Sequence, residues 1–384
     1  MSTPGEVPDD ELAARRERLL AEAERLGLDA ILAYGANRSG SAVPWLACWQ
    51  VTREAAVVLR RGERPVLLVG FPNHVPNARR VARDCEVLGA GGRTSDTVLE
   101  VLRQSSTRPV RRVGVIGPVP HRLWAALSEG GVDLVEMDQA YVAARMRKTA
   151  YELSVLRHGA ALTDASGAAL VAAAVPGATE LDLVAAVEAA YAGTGGTNHI
   201  HYVAATSMAE PDRCAPGQWP TDRLLETGSV VVFELSTTWG TDYPGQLLRT
   251  VTVDAEPTPL YRDLHDVAVA CLDAIVALLR PGALPADLLA AADLVLEAGF
   301  TTVDDLVHGF GGGYLPPVLS HRGPPTGAEA GPLEEGMTVV VQPNVCTPDL
   351  SAGVQTGELF EVTIDGARSL HRFPTGLLRG GDQL

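Results

Sequence analysis

The apolar pattern changes character once, near residue 145, and no other feature constrains the fold as much. Before that point β-prone runs alternate with helical ones. A stretch at 9–26, with Leu12, Leu19, Leu20 and Leu26 set among Glu and Arg, has the period of an amphipathic helix and stops at Gly27. A strand at 29–34 follows, then a half-polar hairpin with arms at 54–59 and 65–69, a basic helical stretch at 77–84 leading to 86–88, and a helix at 96–103 leading to a strand at 112–116. Such alternation predicts an α/β domain with a mixed sheet. Residues 140–173 then form one long Ala-rich helical pattern without proline. Beyond it the elements come in blocks: helices at 152–173 and 180–192, strands at 202–206, 229–235 and 248–253, helices at 261–279 and 286–298, and strands at 338–342 and 359–364. Blocks of helices and antiparallel strands predict an α+β domain. Asp287, after the Pro281 and Pro285 link, is placed to cap the helix that follows.

A chain of 384 residues also exceeds what one core holds, because cores stop growing at about 250–300 residues. Two domains are expected, 1–145 and 146–384. Hydrophobic residues make up 46% and charged residues 20%, and no apolar run is long enough for a bilayer, so a membrane protein is excluded. Charge divides unevenly: residues 1–150 carry 21 basic and 18 acidic side chains, and the rest carry 10 and 29. An acidic second half repels phosphate backbones, which argues against a nucleic-acid partner. The start is acidic and lacks the basic and apolar regions of a secretory signal, so the cytoplasm is the expected compartment. Five scattered cysteines, Cys48, Cys85, Cys214, Cys271 and Cys346, suit free packing thiols better than a disulfide framework. Lys148 is the one lysine, leaving a single candidate for imine chemistry.

Five blocks, in order, carry a resemblance. They are Arg145-Met-Arg-Lys148-Thr-Ala-Tyr-Glu152 with Leu156-Arg-His-Gly; Gly228-Ser-Val-Val-Val-Phe-Glu234 with Tyr243-Pro-Gly-Gln246-Leu-Leu-Arg249-Thr250; His308-Gly-Phe-Gly-Gly312; Gly336-Met337 through Gln342-Pro343; and residues 353–363. Over about 145–370 the chain resembles the M24 family of creatinase, prolidase and aminopeptidase P. The resemblance implies a pita-bread α+β domain behind a creatinase-type α/β domain, in a homodimer. Lys148 falls in the family's linker motif, which argues against a covalent imine.

Metallopeptidases of that family hold two metal ions with two Asp, one His and two Glu, because dications need charged oxygen and imidazole ligands. Carried over position by position, those ligands are Glu234, Gln246, Gly312, Gln342 and Gly357 here. One carboxylate survives of five ligands. Even with Glu358 counted, two carboxylates and no imidazole do not neutralise two dications, so no metal and no cofactor are expected. A histidine that the family places before the first ligand is also missing near Gly217. The segment Gly311-Gly-Gly-Tyr314-Leu-Pro-Pro317 resembles instead a metal-poor branch that includes ectoine hydrolase-like amidohydrolases.

Among the candidates, Glu234 sits inside an apolar strand pattern, where an acid either lines a cavity or pairs with Arg249. Glu358 and Glu361 face opposite sides of one strand, and Glu358 is the one expected to point inward. His308, between Asp304-Asp305 and a run of glycines, is either a loop histidine satisfied by those aspartates or a proton shuttle. His321 reads as a surface residue. His199 and His201 share one strand face in the alternating pattern and read as edge residues. Gln246, Gln342, Gln355, Asn344 and Tyr243 are expected to make a neutral hydrogen-bonding pocket, with Arg249 beside it and Trp219 or Trp239 available to stack on substrate. The expected catalytic set is therefore Glu234, His308 and Glu358, and the expected function is metal-independent hydrolysis of a C–N bond in a small polar molecule. A lyase, decarboxylase or isomerase on the vacated site, and a non-catalytic binding protein, are the alternatives. A metal-dependent Xaa-Pro peptidase fits the ligand positions least.

Overall fold

The computed structural model describes residues 6–37, 39–104, 109–240, 242–322 and 331–384. Two compact units divide the chain, Met1–Arg145 and Met146–Leu384. In the first, α1 (Asp9–Arg25) leads to β1 (Ala30–Ala36), α2 (Ala42–Ala47), β2 (Glu54–Leu59) and β3 (Val66–Val69). Then come α3 (Val75–Val81), β4 (Glu86–Gly89), α4 (Thr94–Arg103), β5 (Arg112–Ile116), α5 (His121–Glu129), β6 (Asp133–Glu136) and α6 (Asp138–Met146). The strands form one mixed sheet in the order β4-β3-β2-β1-β5-β6, antiparallel at β1–β2 and β2–β3 and parallel elsewhere. Leu32, Val58, Leu68 and Val113 of the sheet pack against Val98, Leu102, Leu123 and Leu127 of α4 and α5. Two helices escaped the pattern. The six residues of α2 are all buried, so they show no polar face, and α5 is a short helix of nine residues.

The long pattern at 140–173 is not one helix. Arg147 forms a bridge with Met337, and the Lys148 N–H donates to the Gly336 carbonyl at 2.8 Å, which breaks the helical ladder. A new helix, α7 (Ala150–Ala173), then starts behind a capping box in which Thr149 and Glu152 satisfy each other's backbone N–H. It is followed by α8 (Glu180–Ala192), β7 (Gly196–Ser207), β8 (Ser229–Trp239), β9 (Leu247–Thr252) and α9 (Pro259–Val276). Next are α10 (Pro285–Ala291), α11 (Leu294–Glu297), β10 (Thr301–Thr302), β11 (Val307–Phe310) and β12 (Tyr314–Leu319). The chain ends with β13 (Thr338–Val341), β14 (Asn344–Cys346), β15 (Gly353–Gln355), β16 (Gly357–Thr363), β17 (Gly366–Ser369) and β18 (Leu378–Arg379). Asp287 does not cap α10: Leu284 occupies the cap position and Asp287 lies inside the first turn.

The main sheet of this unit runs β12-β11-β13-β16-β9-β8-β7, and a small sheet runs β10-β14-β15. Phe233, Leu235 and Leu247 pack with Leu170, Val171, Leu183 and Val187 of α7 and α8. A second cluster joins Leu264, Ala268 and Ile275 of α9 to Val339, Val341 and Phe360. Among the described residues no helix is long and apolar enough to cross a membrane.

Candidate active site

Strand register sorts the candidates. Directly paired residues of antiparallel strands share a face, and neighbours along a strand alternate. Glu234 pairs with Leu248, and Leu248 pairs with Gly357, so these three lie in a row on one face. Leu235, Leu247 and Glu358 form the next row, on the opposite face.

On the Glu234 face four predicted side chains meet. Gln246 Nε2 donates to Glu234 Oε1 at 2.9 Å and to Gln342 Oε1 at 2.8 Å, and His308 Nε2 lies 3.3 Å from the same Gln342 oxygen. All four are buried. Burial pushes the Glu234 carboxyl up to about 8, and the nearby Asp304 and Asp305 push it further in that direction. Among the described residues none of the groups that shift it is a cation. Asp304 is itself raised, chiefly by burial. His308 is fully buried in β11 rather than looped out, and burial holds its imidazole down at about 4. It therefore stays neutral at physiological pH, which removes the proton-shuttle role expected from an unperturbed histidine. Its Nδ1 faces the Gly309 carbonyl at 3.2 Å, so the one proton of the neutral ring has two acceptors to choose between.

Sequence reasoning offered Asp304 and Asp305 as partners in one of its two readings of His308, and took Tyr314 only as part of a motif. The Tyr314 ring stacks on His308 with centroids 3.9 Å apart and an interplanar angle of 16°, and its hydroxyl donates to Asp305 at 2.8 Å. The signal was Tyr314's spacing from His308 across the glycine run, which is a hairpin turn between β11 and β12.

The remaining predicted residues lie elsewhere. Glu358 does not join Glu234: it takes a hydrogen-bonded ion pair from Arg249 and the Ser369 hydroxyl at 2.5 Å. Arg249, fully buried, also donates to the carbonyls of Gly357 and Pro374, both at 2.6 Å, so it neither pairs with Glu234 nor faces a pocket. Tyr243 donates to Glu152 of α7 at 2.5 Å. Trp239 packs at a tilt of 53° against His158 of α7, with centroids 4.6 Å apart, and is thereby turned from Glu234's face. Trp219 is 85% exposed. Asn344 Nδ2 ties the Cys214 and Val354 carbonyls at 3.0 and 3.1 Å. Gln355 is buried, and its amide makes no hydrogen bond among the described residues. A bulge between Asn198 and Ile200 separates the two strand histidines: His201 reaches Tyr191 of α8, and His199 sits against Phe310. His321 is no surface residue, with its ring covered and 3.3 Å from Asp293.

At the five positions that the resemblance gives to a dinuclear centre stand one carboxylate, two amides and two glycines. Gln246 and Gln342 are amides already bonded to each other, and Glu234 is the single carboxylate. At Gly357 a Cβ would stand 2.6 Å from the Gln342 Cα, so the space a ligand side chain would need is filled by backbone. Gly312 has φ +84°, a conformation strained for histidine. Among the described residues no group of three His, Cys, Asp or Glu is placed to hold a metal ion.

Comparison with known proteins matches residues 154–364 to the model of metallopeptidase family M24. The chain is 28% identical over 241 residues to the probable dipeptidase PepE of Mycobacterium tuberculosis, covering 61% of this chain and 60% of that protein. It is 25% identical over 261 residues to the putative dipeptidase YkvY of Bacillus subtilis, covering 65% and 67%. The chain thus spans about three fifths of the length of the first of these relatives. Its fold is similar to that of an Xaa-Pro dipeptidase from Bacillus anthracis (TM-score 0.79, 20% identity, 96% of this chain and 99% of that one). The prolidase from Pyrococcus horikoshii is similar too (TM-score 0.81, 17% identity, 95% and 100%). With both the ordered sequence blocks and the sheet that carries them in agreement, the chain belongs to metallopeptidase family M24.

Proposed function

We propose that this chain hydrolyses a C–N bond in a small polar molecule that carries a positive charge, without a dinuclear metal centre. The observation that carries the reading is Glu234: a buried carboxyl raised to about 8 by burial and further by Asp304 and Asp305, with no cation among the described residues shifting it back. A cationic substrate group is drawn to this acidic face. Glu234, which burial and the neighbouring acids keep protonated at neutral pH, gives its proton to the departing nitrogen, and Asp304 takes one from the attacking water. Two carboxyls in different environments divide the acid and base roles in this way. His308 stays neutral and, through Gln342 and Gln246, orients the Glu234 carboxyl.

Family relatives are named as dipeptidases and an Xaa-Pro dipeptidase, which supports hydrolysis of a C–N bond and leaves a metal-dependent peptidase as the rival. Elemental analysis of the purified protein, with a screen of amidines, guanidino compounds, amides and dipeptides with and without chelator, separates them. Turnover that survives chelation, on a cationic substrate, is expected. Two tightly bound metal ions per chain, or dipeptide hydrolysis abolished by the chelator, would overturn the reading. It also carries a homodimer, checked by light scattering in solution.

A further inference from the structure

Outside the Glu234 cluster, two cysteines are brought together from segments 132 residues apart. Cys214 precedes β8 and Cys346 ends β14. Cys346 pairs with Gly353 across β14–β15, and the next residue, Ala352, forms a bridge with Arg213. Gly353 therefore lies between the two cysteines. A Cβ there would stand 2.9 Å from Cys346 Sγ and would collide with the Cys214 carbonyl oxygen, so the bare α-carbon of glycine is what lets the two approach. Cys346 Sγ lies 3.5 Å from the Cys214 carbonyl and 3.3 Å from Asn344 Oδ1, which sets the two cysteines side by side. Both sides are held. Asn344 Nδ2 anchors the Cys214 carbonyl at 3.0 Å, the Asp212 N–H donates to Thr206 at 2.9 Å, and Arg213 reaches Glu180 at 2.9 Å.

We propose that Cys214 and Cys346 form an oxidation site that hydroperoxides convert to a disulfide, with Cys214 attacking and Cys346 resolving. The Cys214 thiolate attacks one peroxide oxygen. The O–O bond breaks, hydroxide leaves and is protonated to water, and Cys214 becomes a sulfenic acid. Cys346 then gives up its proton and attacks the Cys214 sulfur, the S–O bond breaks, and a second water leaves. Two thiols have lost two electrons and two protons to one hydroperoxide, which leaves as water and, for an organic peroxide, its alcohol.

The surroundings select the attacking thiol. Cys214 is half-buried and its thiol is lowered to about 7, first by the hydrogen bond from Cys346 and further by Arg322, with Asp349 opposing. Cys346 is buried and keeps its proton, raised by its bond to Cys214 and by burial, with Asp304 adding and Arg322 opposing. Tyr261, also facing the pair, is itself raised by burial and stays protonated. The other cysteines are poor competitors: burial pushes Cys85 and Cys271 up to about 12 and raises Cys48.

The test uses the reduced full-length protein. Alkylation rate against pH, read site by site by peptide mass mapping, is expected to show Cys214 as the fast thiol with a midpoint near pH 7. Equimolar hydrogen peroxide is expected to remove two hydrogens and to give a Cys214–Cys346 linked peptide under non-reducing conditions, reversed by dithiothreitol. In Cys346→Ser the sulfenic acid on Cys214 is expected to persist and to be trapped by a dimedone-type probe; in Cys214→Ser both the fast thiol and the link vanish. An alkylation midpoint at the ordinary thiol value of about 8.5, oxidation that falls first on another cysteine, or peroxide that drives Cys214 to sulfinic acid with Cys346 untouched would each overturn the proposal.

Discussion

Glu234 and Glu358 lie on adjoining rows of one sheet, both almost wholly buried, and they meet opposite fates. Glu358 has a buried guanidinium and a hydroxyl against it, so its charge is matched and it holds structure together. Glu234 has an amide and two neighbouring acids, so its charge is opposed and its proton is retained to about pH 8. A buried acid with a cation is a fastener, whereas one without a cation is a reagent or a receptor for a cation.

Breaking the matched side should cost most. Arg249→Met strands the Glu358 carboxylate and several carbonyls, and removing one partner of a buried pair costs about 3–5 kcal/mol. Denaturant unfolding at pH 7 checks this, and a loss under about 1 kcal/mol would show that the pair is worth no more than a surface one. On the opposed side the sign reverses. Glu234→Gln removes a carboxyl that folding holds protonated between its ordinary 4.5 and about 8, so at pH 7 the variant should be more stable by about 3 kcal/mol, at about 1.4 kcal/mol per pH unit. Turnover of the substrate found by the screen should fall at least ~100-fold in the same variant, the usual size of a lost acid or base. Retained turnover would remove Glu234 from the chemistry.

The pH profile of stability sharpens the contrast. Glu234 is raised, so its contribution is present below 4.5 and lost as pH rises toward 8. His308 is depressed from 6.5 to about 4, so its contribution is present above 6.5 and lost as pH falls toward 4. From these two groups the profile should be level between about 4.5 and 6.5 and should decline from there to 8. In Glu234→Gln it should instead climb by about 1.4 kcal/mol per unit up to 6.5 and then flatten. Parallel profiles for the two proteins would refute the Glu234 shift, and a Glu234→Gln profile that fails to climb below 6.5 would refute the His308 shift. Smaller still, Tyr314→Phe should cost about 1 kcal/mol through the lost bond to Asp305 while keeping the stack on His308. Smallest of all, Trp239→Phe should leave KM unchanged, because that ring packs on α7; a marked rise in KM would return Trp239 to the pocket.

Much of the fold was readable because periodicity is local. The strand at 112–116 and the helix at 180–192 match β5 and α8 residue for residue, and α7 begins where Thr149 and Glu152 make a capping box. Misses came where burial removed the pattern, as in α2, or where a distant strand intervened, as at Arg147 and Lys148. Of the site, Glu234, Gln246, Gln342 and His308 were found from motif positions and do converge. Glu358, Arg249, Tyr243 and Trp239 were assigned to the same pocket because motif spacing does not say which face of a sheet a side chain takes.

By itself, the sequence determined the two-domain order and the family blocks, and it set amides and glycines at positions where the resemblance implies charged ligands. These are properties of residue type and spacing along the chain. Only the tertiary structure decided which acid is matched and which is opposed. Charge balance in a buried site depends on what crosses over from other strands, and a one-residue difference in register, Gly357 against Glu358, sends a side chain to the other face.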